Sequence, residues 1–117
     1  MTGLAGRGRW TRSKYGNTRV KVDGIAFDSK GEAAHWQLLR LRERAGEISD
    51  LKRQVAFRLD VNGQHICRMV PDFAYVEGGR QVVADFKSPA TITPEFKLKC
   101  RLMKAVHGID VQIVGRK

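Results

Sequence analysis

The chain has 117 residues, with 22 Lys and Arg against 12 Asp and Glu, for a formal charge of +10. That length supports one compact domain, and at 42% hydrophobic the composition argues against wholesale disorder. No apolar run approaches the roughly 18 residues that span a bilayer, and no apolar signal-peptide core stands at the N-terminus. Cys67 and Cys100 are too few and too far apart for a disulfide framework or a zinc site, so two reduced thiols in a cytoplasmic protein are expected. A positive excess this large in a small domain is the electrostatic footprint of nucleic acid.

Residues 1–13 read as a flexible basic arm, and residues 14–117 as a single domain. From Met1 to Val22 there are six basic residues (Arg7, Arg9, Arg12, Lys14, Arg19 and Lys21) and no acid. Gly3, Gly6 and Gly8 work against a stable element there. Such an arm can track phosphates; the alternative is a solvated tail. Arg19–Asp28 alternates apolar and polar residues about Asp23-Gly24, a dipeptide suited to a type I′ hairpin turn.

Ser29 then opens a helix that runs to about Ala45 and stops at Gly46. Ala34, Leu38, Leu41 and Ala45 recur at helical spacing as its main buried stripe, with Glu32, Trp36 and Leu39 as a second one. Three strands follow as a meander. Val55, Phe57 and Leu59 mark the first, and Asn62-Gly63 the next turn. His65–Val76 is a longer strand bent at Pro71, and Gly78-Gly79 leads into Gln81–Lys87. Thr93-Pro94 caps a second helix that ends at about His107 and Gly108, and Ile109–Val114 is the last strand. The order is hairpin, helix, three strands, helix, strand. It describes an α/β (α+β) fold with a mixed sheet flanked by two helices.

The chemically informative stretch is Val70-Pro71-Asp72, then twelve residues, then Asp85-Phe86-Lys87. Asp85 and Lys87 are two apart on a strand, so their side chains leave one face, while Val82, Ala84 and Phe86 point the other way. A bend at Pro71 on the neighbouring strand aims Asp72 at the same spot. Two carboxylates and an ammonium converging at a sheet edge suit magnesium-assisted phosphodiester hydrolysis. Hard oxygen ligands hold Mg²⁺ beside a phosphate, and the lysine orients the attacking water and offsets developing charge.

Pro71-Asp72 and Asp85-Phe86-Lys87, set between a meander and a following helix, resemble the PD-(D/E)XK nuclease superfamily and its restriction-endonuclease-like core. Lys14–Asn17, Val22–Gly24, Phe27–Ala33 and Gly46–Leu51 are similar to a narrower group of small phage and prophage endonucleases related to Holliday-junction resolvases. The resemblance covers about residues 13–114. It implies Mg²⁺, or Mn²⁺ in its place, on Asp72 and Asp85, with the Phe86 backbone carbonyl as a further ligand. Glu32 would complete the shell directly or through water, and Lys87 would serve the nucleophile. Ser88 departs from the glycine that often follows the lysine in related sequences, and Gln54 stands where some relatives carry a glutamine near the site.

Each assignment has a plainer counterpart. Ser29-x-x-Glu32 is also a capping box, and Asp85 with Lys87 could be a surface pair, although charges are costly on so apolar a strand. Asp72 could serve only a turn. His35, His65 and His107 lack metal-ligand spacing, and Trp36 reads as core. Lys97, Arg101 and Lys104 recur along the second helix as a basic face for phosphates, supported by Lys99 and the arm, or for solvent.

The resulting expectation is a magnesium-dependent endodeoxyribonuclease acting on branched DNA, as a homodimer, in a phage-infected or prophage-bearing cell. The alternatives are a structure-nonselective nicking or single-strand nuclease, and a non-catalytic basic nucleic-acid-binding protein.

Overall fold

A computed structural model describes residues 19–115. Arg7, Arg9 and Arg12 of the basic arm, and Lys14 after it, lie outside the described residues. Those described divide at His35/Trp36 into two units.

The first unit holds strands β1 (Val20–Val22) and β2 (Ile25–Phe27), paired antiparallel with Val22 opposite Ile25. Asp23 and Gly24 both take positive φ, at 53° and 76°, as the expected type I′ turn requires. Helix α1 (Lys30–Arg44) begins here. The Ser29 hydroxyl accepts the Glu32 N–H at 3.1 Å, which satisfies one of the donors a helix start leaves open.

In the second unit, four strands form a mixed sheet in the order β3 (Ser49–Arg53), β6 (Phe73–Glu77), β7 (Arg80–Phe86), β8 (Val111–Val114). Neighbours are antiparallel except β7 and β8, which are parallel and joined through α2 (Pro94–His107). Strands β4 (Phe57–Val61) and β5 (Gln64–Met69) form a separate two-stranded hairpin. The fold is α+β, with a mixed sheet and two helices.

The pleat assigns the two faces of the sheet. Ala74 and Val83, cross-strand partners, pack with Leu59 and Met69 of the hairpin and with Phe96 and Met103 of α2. Phe73 and Ala84, the next pair, face the other way. There Trp36 stacks on Phe73 at 6.3 Å, and the Arg42 guanidinium lies 6.0 Å from the Tyr75 ring. The stretch of α1 from Trp36 onward therefore covers that face.

Three expectations need correction. The stripe Ala34, Leu38, Leu41, Ala45 is exposed along its length, with Leu38 at 51% and Leu41 at 61%. Trp36 and Leu39 are buried instead. Both stripes obey helical spacing, and what decides between them is the partner: the large Trp36 ring finds Phe73, and Leu38 and Leu41 find solvent. Next, Ser49–Arg53 is a strand, whereas the expected order begins its first strand after the helix at Val55. Ser-Asp-Leu-Lys-Arg carries one apolar residue, as an edge strand can, and its register shifts between Ser49 and Lys52, around Asp50 at φ 53°.

Finally, His65–Val76 is two strands in different sheets, so the expected three-strand meander does not exist as one sheet. Pro71, fully buried, sits in the break between them and has no N–H to give a ladder. The second helix forms as read, with Thr93 Oγ1 accepting the Phe96 N–H at 3.1 Å and Gly108 closing it at φ 71°.

The two faces of α1 should differ sharply in urea denaturation. Leu39→Ala is expected to cost about 2–5 kcal/mol, and Leu41→Ser to stay within about 0.5 kcal/mol. The opposite ranking would contradict the helix orientation.

Candidate metal centre and its cleft

The ladder between β6 and β7 ends at the pair Phe73–Ala84, so continuing the register by one step sets Asp72 opposite Asp85. At that step the side chains take over from backbone carbonyls. Asp85 Oδ1 accepts the Asp72 N–H at 3.1 Å, and Asp72 Oδ2 accepts the Phe86 N–H at 2.9 Å. On the other side the Asp72 carbonyl accepts the Gln54 N–H at 3.1 Å. Strand β8 fixes the next residue, because the Lys87 N–H donates to the Val114 carbonyl at 3.0 Å. The break at Pro71 and the end of a central strand thus place Asp72, Asp85 and Lys87 together.

Asp85 lies on the Val83 side of the sheet and is only 5% exposed. Burial pushes its carboxyl up to about 7, helped by the Asp72 carboxylate within hydrogen-bonding reach and by its charge. The Lys87 ammonium and the Asp72 N–H oppose that rise. The Lys87 Nζ sits 4.8 Å from the centre of the Phe96 ring. The Asp72 carboxylate thus disfavours the charged form of the buried Asp85. The hard oxygens of the two carboxylates fit Mg²⁺ or Mn²⁺. Among the described residues no three His, Cys, Asp or Glu side chains gather as a ligand set.

A cleft of about 320 Å³ opens on Asp85 and Lys87. Met69, Val70 and Phe96 supply its apolar wall, while Thr91, Thr93, Glu95 and Lys99 supply polar groups. Sequence reading missed Thr91, Thr93 and Glu95 and gave Lys99 only a supporting place. The available signal was the Thr93-Pro94 cap, because the first turns of a helix entered directly from the lysine's loop stand beside that loop. Ser88 starts the short 3₁₀ turn Pro89–Thr91 that makes this link, its N–H donating to Thr91 Oγ1 at 3.1 Å.

The other candidates are spread out. Glu32 belongs to the unit ending at His35, in the first turn of α1, and is 9% exposed. Lys97, Arg101 and Lys104 are exposed on α2, and the Lys104 Nζ is 3.0 Å from Asp110 Oδ2. Gln54 follows β3 with its side chain exposed. His65 Nδ1 pairs with Asp60 Oδ1 at 2.8 Å, and His107 Nε2 with the Arg58 carbonyl at 2.7 Å. Trp36 is core, and the Cys67 and Cys100 thiols are half-buried and unbridged. No helix among the described residues is long and apolar enough to cross a membrane.

Residues 12–113 match the model of a family described as a protein of unknown function, DUF1064. No curated protein and no solved structure matches the chain.

Asp85 gives the metal-free protein a pH signature. Its folded value lies above the ordinary 3.8, so between that value and about 7 the native state holds a proton the unfolded chain has lost. Stability from this group is full at the acid end and falls as pH rises through the window. Chemical denaturation across pH should show Asp85→Asn gaining on wild type from about pH 4 to about pH 7. A constant difference would contradict the buried carboxyl.

Proposed function

The chain belongs to the DUF1064 family, and we propose that this member is a metal-dependent endodeoxyribonuclease of PD-(D/E)XK type that hydrolyses backbone phosphodiesters in branched DNA. One observation carries the reading. Asp72 and Asp85 are locked to each other at the end of the sheet, with Lys87 beside them on one wall of an open cleft. A surface ion pair needs no such arrangement. The formal charge of +10 supports a polyanionic substrate.

In this reading Asp72 and Asp85 would hold Mg²⁺, or Mn²⁺ in its place, with the Phe86 carbonyl as a further ligand. When bound, the cation supplies Lewis-acid stabilisation of the scissile phosphate and lowers the pKa of water. The protein's own work is positional. The Asp72 N–H and the Phe86 N–H fix the carboxylate oxygens before substrate arrives. Lys87 orients the water that attacks phosphorus in line and offsets charge gathering on the phosphate oxygens. The attacking water gives up a proton to solvent as its bond to phosphorus forms, the phosphorus–oxygen bond to the leaving sugar breaks, and solvent returns a proton to the leaving oxygen.

A chain this small has little surface with which to grip a four-way junction. A homodimer with two such sites would match a junction's two-fold symmetry. The setting of this reading is the cytoplasm of a phage-infected or prophage-bearing bacterial cell.

A labelled four-way junction and a matched linear duplex should be compared for wild type and Lys87→Ala, each with Mg²⁺ and with chelator. Metal-dependent cuts concentrated on the junction, and reduced about 100-fold or more in Lys87→Ala, are expected. Equal cutting of both substrates would replace junction resolution with nonselective nicking. Tight binding without cuts under any metal would establish a non-catalytic nucleic-acid-binding protein.

A further inference from the structure

The cleft beside Lys87 contains a second cation that the proposed chemistry leaves unused. Lys99 lies one turn after Glu95 on α2, and its Nζ is 3.3 Å from Glu95 Oε2. The members of this pair are unequally placed: the Lys99 side chain is 28% exposed and that of Glu95 77%. Lys99 is the more sheltered member, and the carboxylate that neutralises it is the more exposed one. A surface carboxylate is a weak holder, so a phosphate can take its place with little penalty.

Thr93, on the same wall, spends its oxygen on the Phe96 N–H and keeps its hydroxyl proton to donate. The basic stripe visible in the sequence is less suited to this role. Lys97, Arg101 and Lys104 are exposed and line no part of this cleft, and Lys104 is engaged by Asp110.

We propose that Lys99, together with the Thr93 hydroxyl, forms a subsite for the DNA phosphate next to the scissile one, and that Glu95 is the positioning residue that holds Lys99 ready and yields to that phosphate. This rests on the nuclease reading and adds the residue that sets where the backbone runs past Asp85 and Lys87. Glu95 has two consequences. It keeps Lys99 in the cleft while the protein is free, and it competes with weakly held anions, so only a backbone seated along the whole cleft displaces it.

The test is DNA binding in chelator, followed by fluorescence anisotropy of a labelled four-way junction across a salt series. Lys99→Ala should lower the slope of log affinity against log salt by about 0.9, the loss of one phosphate contact. Lys99→Arg should restore it. Arg80, exposed at the opposite end of β7 from Asp85, serves as the charge-matched control, and Arg80→Ala should leave the slope unchanged. Glu95→Gln should tighten binding about two- to five-fold when Lys99 is present and have no effect in the Lys99→Ala background, because both residues act through one contact.

If wild type binds DNA and Lys99→Ala matches Arg80→Ala in slope, the subsite is overturned and the nuclease reading stands. If Glu95→Gln tightens binding equally in both backgrounds, Glu95 acts through net charge alone and its positioning role is overturned. If wild type binds no DNA, the inference falls together with the reading beneath it.

Discussion

Strand β7 carries an acid at the end of an apolar sheet, and the molecule tolerates it because the neighbouring segment answers bond for bond. Asp85 takes the Asp72 N–H, and Asp72 takes the Phe86 N–H. The reciprocal pair replaces the ladder where Pro71 has interrupted it, and each carboxylate holds the backbone that carries the other. Burial on one side and a second carboxylate on the other leave Asp85 protonated up to about 7. A carboxyl raised in this way favours its neutral form until a compensating positive charge stands beside it. Groups perturbed in this way, by burial together with a defined partner in a cleft, are more often functional than structural.

The surroundings follow from that constraint. Val83, two residues earlier on the same face, anchors the α2 and hairpin core, so Asp85 begins where the core ends. Lys87 continues along the strand direction and rests on Phe96, the first buried residue of α2. The turn Pro89–Thr91 and the Thr93 cap then return the chain so that the start of α2 faces the lysine. The cleft is therefore a consequence of how the parallel crossover from β7 to β8 begins. Its polar groups come from a stretch of sequence that carries no catalytic motif.

Much of the fold was legible because the turns announce themselves. Asp23-Gly24, Asn62-Gly63 and Gly78-Gly79 all take positive φ at both positions, and each hairpin lies where its dipeptide put it. The Asp72/Asp85/Lys87 set was legible because strand alternation is strict and the register carries it across to β6. Two things were hidden for physical reasons. Helical spacing cannot choose between two apolar stripes, and α1 carries both; the choice depends on Phe73, 37 positions beyond Trp36. A proline in an apolar run marks a break without telling whether the chain resumes in the same sheet, and at Pro71 it resumes in another. That Glu95 and Lys99 face a cleft was hidden for a third reason, since an i, i+4 ion pair on a helix looks the same whether it faces a cleft or bulk water.

The central claim is that Asp72 and Asp85 together hold a divalent cation. Isothermal titration calorimetry of Mn²⁺ into metal-free protein near neutral pH, repeated in buffers of different ionisation enthalpy, tests it without any substrate. The account predicts one site per chain, release of a proton as the cation takes its place between the carboxylates, and loss of both signals in Asp85→Asn. No binding heat in the wild-type protein, or binding that Asp85→Asn leaves unchanged, would contradict it.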